Sequence, residues 1–383
     1  MRTYTTVMTV LTVAVIALAA TGMAVSYLHD STIDGDLTVK DMRGREVSVP
    51  SDVTKVACAG SGSLRIVSYF GTDKIIGIDS RDFTVTGPIT DYNMAAYRVA
   101  YDIRDWVGSG NIADTGRDLA NAEALMASGA QVIFTTSENV DLINDIQTKT
   151  GIPVIGLRAE VDFDLDDMTV FNEQLRLIGK VLNKSARAES LISGIQNLMT
   201  QLDLYRAAVG ERNYKSAYAA GVMIPYQDAN LYSTSGKYIP FSWSCADNIM
   251  PDQNNGKPYR TTPEAIITGA PEYIFVDTCY YAACLSGIGN DYSLLDEVPA
   301  IENGKVYRLL PYKSFNTNYE CELINCFVVG NAIAPSVYDY DPEQKATEIF
   351  ELFFPGAGMT YQKYADATGI GIGHVDPKEY TPK

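Results

Sequence analysis

Histidine is almost missing from this chain of 383 residues: there are two, His29 and His374, one toward each end. That scarcity removes the Ser-His-Asp triad, the two-histidine zinc helix and any three-histidine metal cage, since each needs imidazoles converging on one point. Bare Zn²⁺ or Mn²⁺ held by imidazole is disfavoured on the same ground. Basic charge is scarce too. Lys and Arg number 30 against 47 Asp and Glu, a net charge of −17, and no basic stripe exists to displace counterions from a nucleic acid. The six cysteines make no CxxC: Cys279 and Cys284 are five apart, as are Cys321 and Cys326, while Cys58 and Cys245 stand alone. Disulfides of an exported protein and buried thiols both fit that spacing.

Apolar residues make up 46% of the chain, enough with this length for two domains with cores of their own. Tyrosine is abundant, with 25 residues and 19 of them from Tyr205 onward. It offers a flat amphipathic wall and a phenol that can hydrogen-bond or ligate. Arg2 precedes an apolar run from Val7 to Val25, which reads as an export signal or a membrane anchor. Ala17, Ala19 and Ala20 would suit a signal peptidase, and the run is also long enough to span a bilayer uncleaved. No cysteine follows closely to carry a lipid.

The chain is organised around Ser185–Ala207. Its apolar residues Ala188, Leu191, Ile192, Ile195, Leu198, Met199 and Leu202 form one helical stripe, with Ser185 as candidate cap and Gly210 as the stop. Such a helix is roughly 33 Å long. Two look-alike segments flank it. NAEALMASGAQVIF (Asn121–Phe134) and TPEAIITGAPEYIF (Thr262–Phe275) align without a gap, each reading as a cap residue, a short helix and a strand. The expected fold class is α/β: two similar lobes of parallel-rich sheet flanked by helices, joined by one rigid helix, with a cleft between them. The boundaries are 1–30 for the leader or anchor, 31–166 for the first lobe, 167–209 for linking helices, and 210–383 for the second lobe with its tail.

In chain order, Leu37–Gly60 reads as a hairpin, a proline turn and a buried strand, followed by the small-residue loop of SGSLRIVSYFG opening a helix. Lys74–Asp79 is a second strand, Ser80–Asp105 an irregular aromatic insertion, and Val154–Leu157 a strand after Pro153. Beyond the linking helix come strand Ser216–Ala220, a polar aromatic region Ile224–Arg260, and strand Val306–Leu309. A helix ending before Pro335, the amphipathic DPEQKATEIFELFF and a loose tail Pro355–Lys383 complete the chain.

DMRGREVSVPSDVTKVA, VGSGN with NAEALMASGAQVIF, TTPEAIITGAPEYIFV and VPAIENGKVYRL, in that order over residues 37–354, resemble the helix-linked periplasmic solute-binding proteins of ABC importers, those of iron–siderophores, haem and cobalamin. Gly129-Ala130 stands where that family usually has a proline, the lipid-anchor cysteine is missing, and the insertion Phe83–Asp105 is unusual. The resemblance implies a binding protein and not an enzyme, exported, monomeric, and reaching the membrane through its N-terminal segment or through the permease and ATPase. It implies that Glu123 and Glu264 dock basic pockets of the permease, one per lobe.

The resemblance also implies a ligand between the lobes, at the C-terminal ends of the strands, where α/β sheets place their sites. Residues projected there are Ser61, Ser63, Arg65, Arg81, Trp106, Ser137, Tyr226, Tyr232, Trp243, Tyr259, Arg260, Tyr280, Tyr281, Tyr312 and Asn318. Aromatic walls and arginines would hold an iron(III) chelate, haem or corrinoid, whereas helix N-termini with Ser, Tyr and Arg would suit an oxyanion such as molybdate or tungstate. The tyrosine excess favours the chelate, with no resident cofactor. A rival of another class is a metallocluster enzyme ligated by the six cysteines.

Overall fold

Short continuous apolar runs set the centre of each half, because a parallel strand covered on both faces has no polar side to show. VACA of Val56–Ala59 and VIFT of Val132–Thr135 are buried at every position, as is YIFVD of Tyr273–Asp277. The computed structural model describes residues 37–85, 95–161, 168–224, 227–253 and 255–382. The leader or anchor segment and Tyr226 lie outside these residues. Among the described residues no helix is long and apolar enough to cross a membrane.

A hairpin of β1 (Leu37–Lys40) and β2 (Glu46–Val49) precedes the first sheet. That sheet holds β3 (Val56–Ala59), β4 (Ile75–Ile78), β5 (Ala113–Asp114), β6 (Val132–Thr135) and β7 (Val154–Gly156), all parallel, in the order β5-β4-β3-β6-β7. The later strands are β8 (Lys215–Ala220), β9 (Ser233–Thr234), β10 (Ala246–Asn248), β11 (Tyr259–Arg260), β12 (Tyr273–Asp277), β13 (Val306–Leu309) and β14 (Gly373–His374). β9 and β11 make a small antiparallel ribbon; the rest form a second sheet in the order β10-β8-β12-β13-β14, parallel but for its last pair. The sequence 4-3-6-7 of the first sheet therefore recurs as 10-8-12-13 in the second.

The internal likeness extends to single residues. Asn121 and Thr262 each cap a seven-residue helix, Ala122–Ser128 and Pro263–Gly269, by accepting from the backbone N–H three residues on. Each helix ends on a left-handed residue, Gly129 or Ala270, and each leads into a buried strand. From Asn121 to Phe134 and from Thr262 to Phe275, every aligned pair has the same burial, whether buried, half-buried or exposed.

The linking helix runs Ser185–Val209, two residues past the sequence expectation, and its buried residues are the seven of the apolar stripe. Ser185 is not its cap; Lys184 holds that position and makes no side-chain capping bond. Helix Met168–Val181 packs beside it. Arg187 reaches from it to accepting carbonyls at Tyr69 (2.8 Å), Leu352 (2.6 Å) and Phe353 (3.2 Å), and burial lowers its pKa to about 10. One arginine thus ties the linking helix to both ends of the chain.

Pro355–Lys383 is not a loose tail. Helix Tyr361–Thr368 packs on helix Ala96–Ala100, Lys363 donates to the carbonyl of Ala100 and the carboxylate of Asp102, and β14 closes the edge of the second sheet. Within Ser80–Asp105, residues 86–94 lie outside the described ones; the rest is likewise more regular than its composition suggested. Arg98 and Asp82 form a buried ion pair at 2.7 Å there, with the Tyr97 hydroxyl donating to the same carboxylate at 2.6 Å.

The far end of the linking helix is pinned by ring packing, Tyr205 tilted against Tyr338 with centroids 4.8 Å apart. Tyr338 is fully buried, and a Cβ on Gly330 would stand 2.1 Å from its ring. Gly330→Ala is therefore expected to destabilise by about 1–3 kcal/mol, although alanine is the better helix former by about 1 kcal/mol. Urea denaturation should show a lower midpoint at unchanged slope.

Candidate ligand-binding cleft

Both sheets reverse their strand order beside a central strand, between β3 and β6 in the first and between β8 and β12 in the second. Loops leaving the carboxyl ends of strands at such switch points diverge and leave a crevice. A cleft of about 900 Å³ lies there. From the first half it is lined by Ser61 after β3 and by Arg158, Glu160 and Val161 after β7; Val170 of the linking helices joins them. The second half supplies Met223 and Ile224 after β8, then Gln227, the turn Asn255–Pro258, and Lys313–Asn316 after β13. Corresponding strands thus contribute from both sides.

The loop after β13 sets the depth of the cleft by inserting into the first half. Arg65, on helix Ser63–Ser68, donates to the carbonyls of Ser314 (2.5 Å), Phe315 (2.8 Å) and Thr317 (3.0 Å). Asn316 donates to the Ser61 carbonyl at 2.6 Å, and the Arg98 guanidinium lies 4.3 Å over the Phe315 ring. Phe315 and Asn316 are both left-handed, at φ 53° and 73°, a turn that asparagine tolerates and phenylalanine does not favour. Gly62 is required opposite them: its φ is +78°, and a Cβ there would stand 2.9 Å from the Phe315 carbonyl oxygen. Below the loop the Tyr69 hydroxyl donates to Glu320 at 2.6 Å, again joining the halves.

Charge in the cleft runs against that of the chain. Its described lining carries Arg158, Lys257 and Lys313 against one carboxylate, Glu160, in a protein of net charge −17. Lys313 and Glu160 face each other from opposite sides at 3.2 Å. Phe315 is the one aromatic ring among the described lining residues.

Of the residues projected from sequence, Ser61 lines the cleft. Asn318, Tyr312 and Ser63 are buried and outside the described lining: Asn318 donates to the Pro311 carbonyl, the Tyr312 ring packs tilted against Tyr238, and Ser63 donates to the Gly60 carbonyl. Arg65 is buried and serves the lobe contact just described. Arg81 pairs with Asp118 and Asp79; the hydrogen bond to Asp118 and the charges of both carboxylates raise its pKa. Trp243 is in the core, while Trp106 packs against that core half-buried, outside the described lining.

The remaining candidates have other partners. The Ser137 carbonyl accepts from Arg43. Tyr232 binds Asp291, Tyr259 donates to the Pro251 carbonyl, and Arg260 donates to that of Asp228. Tyr280 packs against the smaller core of the second half, and Tyr281 lies under Arg308, 3.4 Å away, with its hydroxyl on Glu379. Arg158, Glu160, Lys257 and Lys313 were missed; a reading of the residues just past Gly156 and Leu309, the ends of matched strands, would have found three of them.

Glu123 and Glu264 are both exposed, in the first turns of matched helices. Hydrogen bonds from its own backbone N–H and from Thr262 hold the Glu264 carboxyl below its ordinary range. All six cysteines are buried and none is disulfide-bonded, and among the described residues no three His, Cys, Asp or Glu side chains gather as a metal site. The cluster-enzyme rival has no ligand set there.

Asp277, the last residue of β12, accepts from the N–H groups of Cys279 (2.9 Å) and Tyr312 (2.8 Å) and so anchors the approach to the cleft loop. Burial outweighs those bonds and pushes its pKa up to about 7. Because the native state then holds this proton at pH values where the unfolded chain has lost it, stability should fall as pH rises from 5 to 7. The expected loss from this group is about 2 kcal/mol. Urea titrations at both pH values should show that component vanish in Asp277→Asn.

No protein-family model and no curated protein sequence matches the chain. Solved structures do. A periplasmic solute-binding protein of Veillonella parvula is 16% identical, with a TM-score of 0.66 over 88% of this chain and 98% of its own. The molybdate-binding protein MolA of Haemophilus influenzae is 17% identical, with a TM-score of 0.62 over 83% of this chain and 98% of its own. A TroA-like binding protein, FepB, also of Veillonella parvula, is 19% identical, with a TM-score of 0.61 over 83% and 96%. Identities this low speak for shared architecture and not for a shared ligand. In fold, the chain shares the architecture of these binding proteins: two α/β lobes carried on one long helix, with a cleft between them.

Proposed function

We propose that the chain is the extracytoplasmic solute-binding subunit of an ABC importer, without enzymatic activity, and that it delivers a bulky anionic metal chelate, an iron(III)–siderophore complex or a close chemical relative, to the permease and its ATPase. The observation that carries this reading is the cationic cleft of about 900 Å³ in a strongly acidic chain. A volume of that order suits a ligand of drug size. Molybdate, the ligand of the Haemophilus influenzae protein, would occupy a small part of it. Haem and corrinoids expose broad flat faces that call for stacking, and the described lining offers one ring. A hydrophilic chelate with peripheral oxygens matches Arg158, Lys257, Lys313, Asn316 and Ser61 better.

Delivery needs a fixed orientation on the membrane partner. Glu123 and Glu264, exposed at equivalent positions of the two lobes, are suited to charged hydrogen bonds with two basic pockets of the permease. The protein would act as a monomer, held near the membrane by its N-terminal segment or by the permease itself.

Isothermal titration calorimetry with ferric tricatecholate, ferric trihydroxamate, ferric citrate and molybdate tests the ligand class. One ferric chelate should bind at one per chain, and Arg158→Glu with Lys313→Glu should weaken it at least tenfold. Stoichiometric binding of molybdate with no chelate bound would overturn the reading. Tryptophan fluorescence is a poor reporter, because Trp106 and Trp243 lie outside the described lining. Separately, Glu123→Arg with Glu264→Arg should leave chelate affinity unchanged and abolish uptake by cells; normal uptake would remove the docking assignment.

A further inference from the structure

Among the described residues, four large hydrophobic side chains are well exposed: Met126, Leu204, Ile267 and Leu294. A single exposed apolar residue needs no explanation. Met126 and Ile267, however, occupy the same aligned position of the internal repeat, three residues after Glu123 and Glu264. Their exposures are nearly equal, 46% and 42%. Residues three apart on a helix share a face, so each lobe presents a carboxylate beside an uncovered aliphatic side chain. Ile266 and Leu125, one position earlier, are fully buried and hold each helix to its sheet. Nothing in the folding of either helix requires the next residue to be apolar. Yet two unlike side chains, one flexible thioether and one β-branched, keep that character at both sites.

We propose that Met126 and Ile267 are a matched pair of apolar anchors, each seating in a recess beside the cation that receives Glu123 or Glu264, on a partner made of two identical membrane-embedded subunits. The inference rests on the importer reading above and names the partner surface that reading leaves unspecified. Two equivalent patches on one chain are complementary to two equivalent sites, and a symmetric dimer supplies these from one sequence. The carboxylates fix the sign of charge opposite them. An apolar plug next to each ion pair excludes water from it, which strengthens the charged hydrogen bond and makes the plug costly to truncate. Docking then survives salt concentrations that would screen an exposed ion pair alone.

The six native cysteines are buried, so a cysteine placed at exposed Ala127 or Thr268 can be labelled selectively. The full chain carrying Ala127→Cys or Thr268→Cys, labelled with a benzophenone, is added to right-side-out membrane vesicles of the source cells, irradiated, and the adducts identified by mass spectrometry. Both positions should capture the same integral-membrane polypeptide. Met126→Asp with Ile267→Asp should cut the yield at least tenfold and steepen its loss with salt, while Met126→Leu with Ile267→Leu restores it. Capture of two different polypeptides, or full yield from the aspartate pair while Glu123→Arg with Glu264→Arg abolishes it, would overturn the anchor pair and leave the docking reading standing. Full yield from every variant, the glutamate reversals included, would overturn both.

Discussion

A single guanidinium decides how the two halves of this protein meet. Arg65 leaves the first lobe and donates to three carbonyls of one turn in the second, Ser314, Phe315 and Thr317, about 250 residues away in sequence. Carbonyl oxygens clustered at a buried turn would otherwise lack donors, and the two terminal guanidinium nitrogens of Arg65 supply them. The turn itself is strained, with Phe315 in a left-handed conformation, and Gly62 is what lets it approach. Every cleft distance inherits this contact, because the loop that carries Lys313 and Asn316 is the one being held.

Other ties act in the same direction. Tyr69 with Glu320, Arg187 with Leu352 and Phe353, and Lys363 with Ala100 and Asp102 all join segments distant in sequence. Together with a 25-residue continuous helix they resist large relative motion of the lobes. A cleft held open in this way loses little freedom on binding, which favours affinity through preorganisation and not through closure.

The tyrosine excess is spent largely on this internal wiring. Tyr69, Tyr97, Tyr218 and Tyr319 are fully buried, and their phenols bond to Glu320, Asp82, the Leu231 carbonyl and the Val161 N–H. Such a side chain fills volume and satisfies a polar group at the same place, so a tyrosine-rich composition describes the core as readily as a ligand wall. The arginines behave alike: Arg65, Arg81 and Arg98 are engaged with protein partners.

What the sequence alone determined is the part written in local periodicity. The seven-residue stripe of the linking helix, the two capped helices before β6 and β12, and the short apolar runs of the parallel strands were legible because each depends on neighbours within about a dozen positions. The regular tail and the insertion helices were not legible, since their short, polar segments are stabilised by packing on each other and carry weak local signals. Only the tertiary structure decided which strand-end residues face the cleft. Glu160 and Lys313 meet across a gap bordered by the loop that the buried Arg65 holds, whereas Trp243 and Tyr312, no different in kind from a ligand wall, were drawn into the core. Long-range juxtaposition of that sort depends on the sum of many packing contacts, and no window of sequence contains it.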